Sequence, residues 1–363
     1  MDFALSEEQR LLQSTARDYF EKNPGTEIAR SLLDGAATLP DLRPELAEMG
    51  FLGLLAAEEH GGSGGTVLDL AVVAEQAGRV IAPVPLTGTA ARAVVLLQAA
   101  AAGGSAEAAR LLAEVVEGAR AISVADPAEL SLSGGSLSGS THPAFDAVAA
   151  QTVVTLAGGA LVAVEVGSGV TIEPREPIDP TRGLAPVRFD GAHATVLLGD
   201  EKVAAVWRRA RDIAAIVLAA EDLGTTSAAV AKAVAYAKER VAFGRPIGSF
   251  QAVKHMLVDA YVYEEQLRSL VWLAAWTADE DPETLSLHAS AAAAYASDAV
   301  ERVAETLIQV HGGIGFTWEH DAHVYWRRAK VDRLLLGDAH EHRDRVARLL
   351  LEQAARIEPQ PAR

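Results

Sequence analysis

Arg240, Arg245 and Lys254 crowd one stretch, "ERVAFGRPIGSFQAVKHM", in which one helix stops at Phe243-Gly244 and the next starts near Ser249. Helix ends beside arginines suit phosphate, because unsatisfied backbone N–H groups and guanidinium forks both point at it. A second stretch, "QVHGGIGFTWEHDAHVYWRRAK", sets Gly312, Gly313 and Gly315 after a helix, where a backbone can approach a ligand closely. Each pattern also has a plain reading as a helix C-cap and stop. A third, "AKVDRLLLGDAHEH", gathers Asp338, His340, Glu341 and His342, the ingredients of a metal or acid/base site or of a solvated helix face. Neighbours on a helix fan out by about 100° each, so at most two of the four could share a metal, and no metal site is expected.

The elements that must carry these residues follow from pattern. Residues 1–118 read as a helical domain: "SEEQRLLQSTARDYFEK" opens on a capping box, Ser6 with Gln9, and "VLDLAVVAEQAGRVI" keeps helical spacing. From 119 to 202 short β-branched runs broken by Gly, Pro, Asp and Ser predict a small β domain, with "LSLSGGSLSGS" as a loop or hairpin. Residues 203–363 return to long alanine-rich helices, which predict a four-helix bundle. "WRRAK" at 326–330 reads as a solvated helix face or an ion-pair patch between subunits.

Composition narrows the chemistry. The 363-residue chain carries a net charge of −17, which argues against nucleic acid and leaves any anionic ligand to local positive groups. It has no cysteine, so disulfides and thiolate chemistry are out. The N-terminus lacks a signal-peptide pattern and runs such as "AAIVLAA" are too short to span a membrane, so a cytoplasmic protein with no membrane partner is expected.

Taken together, "ERVAFGRPIGSFQ", "QVHGGIGFT" and "RRAK" resemble the C-terminal domain of the acyl-CoA dehydrogenases, and "LSEEQRLL", "GFLGLLAAEEHGGSGG" and "EQAGR" resemble their N-terminal domain. The resemblance implies a mostly α fold with a β-barrel-like middle domain and a C-terminal four-helix bundle. It also implies FAD-dependent α,β-desaturation of an acyl-CoA thioester, in which a glutamate removes the α proton. Carried over residue by residue, Arg240, Phe243 and Gln251, with Gln309, His311, Gly312 and Gly313, would meet the ADP half of an FAD whose ring sits mostly in the neighbouring subunit.

The base positions depart from that pattern. One corresponds to Leu336 and the other to Ala214, and the following Ala215 stands where the family has an arginine that helps hold CoA. The flavin-ring segment is replaced by "ISVADPAELSLSGGS", and Trp207 comes too late to match the family's tryptophan. What would serve the chain's own site is lost, and what would reach a partner's FAD is kept. This resembles the non-catalytic subunits of actinobacterial α2β2 acyl-CoA dehydrogenases, some of which act on steroid side chains, and implies a catalytic partner that holds most of the acyl-CoA. The alternative is a homotetrameric flavoenzyme with a non-standard base, Asp338 or Glu221.

Overall fold

The computed structural model describes residues 4–23, 25–199 and 201–356. Its N-terminal part is helical: α1 (Glu7–Lys22), α2 (Gly25–Leu33), α3 (Arg43–Glu48), α4 (Val67–Arg79), α5 (Val94–Ala102) and α6 (Ala106–Val116), with a π-helical segment, Leu86–Ala93, running into α5. The Ser6–Gln9 capping box opens α1, and a second box, Thr66 with Asp69, opens α4. Each satisfies two backbone N–H groups that a helix start leaves orphaned.

Eight strands follow: β1 (Ile122–Ala125), β2 (Pro127–Ser133), β3 (Ser136–Thr141), β4 (Thr152–Ala157), β5 (Ala160–Glu165), β6 (Val170–Ile172), β7 (Val187–His193) and β8 (Thr195–Leu198). They form two four-stranded sheets, β1-β4-β5-β8 and β2-β3-β7-β6. Only β1 and β4 pair in parallel, and the serine- and glycine-rich stretch is the β2–β3 hairpin. Val153, Val162 and Val164 of one sheet share a core with Leu137, Val187 and Phe189 of the other. The expected barrel-like module is therefore two sheets face to face; alternating side chains bury one face of each against its partner.

The C-terminal part holds three long helices, α7 (Val203–Glu239), α8 (Gln251–Glu280) and α9 (Leu285–His311), then α10 (Ala322–Asp332) and α11 (Ala339–Arg356). The fourth helix expected of the bundle is α11, and α10 carries the "WRRAK" stretch that was expected as a helix face or an ion-pair patch. Over an 18-residue window α7 is apolar enough to cross a membrane, yet all of that window is buried in protein. It is the central core helix. Its crossing with α4 depends on two glycines: a Cβ on Gly78 would lie 1.9 Å from the Glu221 carbonyl oxygen, and one on Gly224 1.9 Å from that of Glu75. Backbones this close admit no side chain. This gives "EQAGR" a physical reason, and it brings Glu221 and Asp222 of α7 into the seam between the domains.

Candidate functional site

The three long helices run up, down and up, so α7 and α9 end together where α8 begins. That end collects the residues expected to meet FAD. After α7 the chain makes a hairpin, Val241–Ala242 against Arg245–Pro246, closed by Phe243 and Gly244 at φ 53° and 77°. Two left-handed residues are what a tight two-residue hairpin demands, usually as Asn-Gly. A phenylalanine in that conformation is strained by about 1–2 kcal/mol, and here it is also 94% exposed. Arg240 makes no ion pair among the described residues, and Arg245 only stacks on Phe250, at 4.1 Å. Gln251, Gln309, Gly312 and Gly313 are exposed at the same end, and a Cβ on either glycine would meet open space.

His311 differs from its neighbours. Its ring is buried, stacked on Tyr236 at 4.1 Å and against His320 at 4.2 Å, with Nδ1 2.8 Å from the Leu307 carbonyl oxygen. It therefore props the end of α9, and any contact to a ligand is left to its backbone. Three exposed apolar residues that sequence reasoning passed over, Ile314, Phe316 and Trp318, lie just beyond the glycines. Their only signal was hydrophobicity at positions with no core periodicity.

The residues at this end fit the ADP half of FAD. Free guanidinium groups, open glycine backbone and an exposed aromatic ring are what a diphosphate and a purine require. The chain's own strand end does not match in the same way. Asp126, just past β1, is held by Arg92 at 3.0 and 2.5 Å, and Arg92 in turn lies over the Trp207 ring at 4.6 Å. Trp207 thus packs against an ion pair at the place where the resemblance expects flavin-ring contacts.

The two positions that the resemblance assigns to a base lie inside the protein. Ala214 is fully buried in the main core, while Ala215 and Leu336 line a cavity of about 10 Å³, room for about one water. Leu336 keeps a strained φ of 58°, and its carbonyl accepts a 3.1 Å hydrogen bond from Arg211. Asp222 and Asp332 border the same slot.

Asp338 and Glu221, the alternative bases, are both engaged. The Asp338 carboxylate accepts the backbone N–H groups of His340 and Glu341, each at 2.9 Å, and so caps α11; these bonds hold it below the usual carboxylate range. Asp338→Asn is expected to leave the turnover of an active complex unchanged, whereas a true base would lose about 10²–10⁴-fold. Steady-state rates decide this. His340 is exposed beside Asp344 while His342 is buried against Gly337, so the titratable cluster of "GDAHEH" splits to two sides of its helix.

Glu221 belongs to a buried ion cluster that no short motif announced. Arg182 bonds Glu221 at 2.5 Å and Asp332 at 2.9 Å, while Arg328 bonds Asp179 at 2.6 Å and lies 3.6 Å from Glu221. Thr87 donates to Glu221 at 2.7 Å. The cluster joins the π-helical segment, the 179–182 loop of the β domain, α7 and α10. Arg328, expected on a solvated or intersubunit face as part of "WRRAK", is instead fully buried, because its partners are carboxylates of its own chain; Lys330 and Arg333 do pair on the outside, both with Glu301. Burial would raise Asp179, but Arg328 outweighs it and holds this acid below its ordinary range. Asp222 is pushed well up by burial and by the neighbouring Asp332.

Several histidines respond to pH in one direction. Burial lowers His311, His320, His323 and His342, the last being nearly enclosed. The unfolded chain therefore binds protons on them first, and stability falls as pH drops below about 6.5. Thermal unfolding scans between pH 7.5 and 5.5 should show a steadily falling midpoint, about flat above that range.

Residues 6–119 match the acyl-CoA dehydrogenase N-terminal domain family and residues 204–351 the acyl-CoA dehydrogenase C-terminal domain family. The chain is 35% identical to the acyl-CoA dehydrogenase IpdE2 of Mycolicibacterium smegmatis over 94% of its own length and 98% of that protein's. Among solved structures it is similar to the Tcur3481–Tcur3483 steroid ACAD, with 30% identity, a TM-score of 0.85 and coverage of 96% of this chain and 99% of that one. It is also similar to the ChsE4–ChsE5 complex of Mycobacterium tuberculosis, with 26% identity, a TM-score of 0.85 and full coverage of both chains.

Proposed function

The chain belongs to the acyl-CoA dehydrogenase family, and on that premise we propose that it is the non-catalytic subunit of a heteromeric acyl-CoA dehydrogenase. It lends the ADP-binding half of an FAD site to a catalytic partner and has no acyl-CoA site of its own. The observation that carries this reading is the contrast between two ends of one helix bundle. Leu336 and Ala215 close on about 10 Å³, while Arg240, Phe243 and the Gly312–Gly313 backbone stand open to solvent.

FAD, when bound, takes up the β hydrogen that an acyl-CoA loses. This chain's part is to hold and orient it. Arg240 supplies a fixed positive charge to the diphosphate, the open glycines let backbone approach, and Phe243 offers a ring face at the tip of a strained hairpin. The Tyr236–His311–His320 stack keeps the end of α9 in place beneath them. The exposed apolar side chains Phe243, Phe316 and Trp318 suit a protein interface, since singly soluble surfaces seldom gather such rings. Similarity to the Tcur3481–Tcur3483 steroid ACAD and to the two-chain ChsE4–ChsE5 complex favours a paired subunit and a steroid side chain held as a CoA thioester. An α2β2 tetramer in the cytoplasm is the assembly proposed.

Expression alone and with a glutamate-bearing dehydrogenase partner tests the proposal. Alone, the chain should retain little flavin and show no turnover; with the partner it should give a yellow, active complex. A yellow, active assembly of this chain by itself would overturn the reading. Leu336→Glu adds a sharper arm. A carboxyl forced into that slot beside Asp222 and Asp332 costs about 1–3 kcal/mol in packing alone, and it should create no activity in the isolated chain. A measurable rate of acyl-CoA oxidation from that variant would show that the slot admits substrate.

A further inference from the structure

A second cavity, of about 140 Å³, lies in the seam between the helical N-terminal part and the β domain. It shares no lining residue with the Leu336 slot. Arg182 stands between them, its guanidinium on Asp332 and its backbone carbonyl accepting the Asp146 N–H at 3.1 Å. Leu39, Leu42, Pro83, Pro85 and Ile122 give this second cavity an apolar wall.

Asp146 is the anomaly in that wall. It is half-buried in a left-handed turn at φ 58°, a conformation aspartate tolerates, and its carboxylate has no hydrogen-bond partner among the described residues. Burial, with the nearby Glu221 adding to it, pushes this acid up to about 7 against the opposing pull of Arg182 and Arg43. A Cβ on Gly88 would lie 2.9 Å from its Oδ2 and 2.9 Å from the Phe145 Cβ, so the glycine keeps room beside the carboxyl. An unused carboxylate facing an apolar hollow is the arrangement of a small-molecule site, apolar walls with one orienting polar group.

We propose that this seam cavity binds the hydroxyl-bearing end of an apolar molecule, about one six-membered ring in size, with the hydroxyl donating to Asp146. The size follows from volume: an apolar cavity of about 150 Å³ takes up benzene. The polar group follows from charge. Arg182 is already matched by Glu221 and Asp332, and Arg43 by Asp41 at 2.7 Å, so no free cation awaits an anion. An ammonium would have to shed its water in a seam that already disfavours charge on Asp146, whereas a neutral hydroxyl supplies the missing hydrogen bond at little desolvation cost.

Phenol is the test probe, titrated into the full chain and followed by saturation-transfer NMR, with thermal unfolding to establish that each variant is folded. Saturable binding is expected. Ala149→Phe, which fills the cavity from its exposed rim, should abolish it, and Asp146→Leu should weaken it about tenfold, the worth of one hydrogen bond. Flavin content of the complex with a catalytic partner should not change in either variant, which separates this site from the FAD half-site. No saturable binding, binding unaffected by Ala149→Phe, or tighter binding of benzylamine than of phenol would overturn the proposal.

Discussion

In a complex with a catalytic partner, Arg240→Glu is expected to release FAD and abolish most turnover. A charge-assisted hydrogen bond is worth about 1.5–3 kcal/mol, or about 10–150-fold in affinity, and reversing the charge beside a diphosphate adds repulsion to that loss. Arg240 is exposed and makes no ion pair in its own chain, so the substitution should leave folding intact. Flavin absorbance per complex and the rate at added FAD measure the effect; full flavin and full rate would end the proposed role. Phe243→Gly gives a companion result. Removing a bulky residue from φ 53° relieves backbone strain, so the chain should be as stable or more stable while its hold on flavin weakens. Few substitutions away from a ligand site separate stability from binding in that direction.

Arg182→Met is expected to destabilise the fold by about 3–5 kcal/mol, because it leaves Glu221 and Asp332 buried without their shared cation. For a chain of this length that corresponds to an apparent Tm lower by about 4–7 °C. In the native protein the depressed acidity of Asp179 contributes stability above the unfolded value near 4, and this is lost as pH falls through the folded one. Adding Asp332→Leu to Arg182→Met should restore part of the loss, as contacting residues are not additive. An unchanged Tm in the single variant would mean that the cluster is not a staple between domains.

The sequence showed the helical and β textures because periodicity is local. Capping residues such as Ser6 and Gln9, and the alanine-rich runs of α7 to α9, act within a few turns of chain. It misjudged one face of α10, because Arg328 and Asp332 are buried there beside Ala322, Val324 and Tyr325. Arg328 looks like a surface residue to any pattern based on hydropathy; its partner Asp179 lies far away in the β domain. Asp146 gave no signal for the same reason: its solitude and its cavity are made by segments near 40, 85 and 183.

The candidate site divides along the same line. Arg240, Phe243, Gln251, Gln309 and the Gly312–Gly313 pair were legible because two short motifs carry them, and the alternation of three long helices puts both motifs at one end. The hydrocarbon at Leu336 and Ala214 was likewise a matter of reading positions. Whether that hydrocarbon surrounds a substrate-sized space was beyond any sequence pattern, since volume is a property of packed surfaces from several elements. Tertiary structure alone closed the slot to about 10 Å³, turned the His311 ring inward, and gathered Arg182, Glu221, Arg328 and Asp332 from three regions into one buried cluster. Local chemistry fixed which groups are offered; long-range packing decided which of them face a ligand, because only the folded chain determines what each side chain has opposite it.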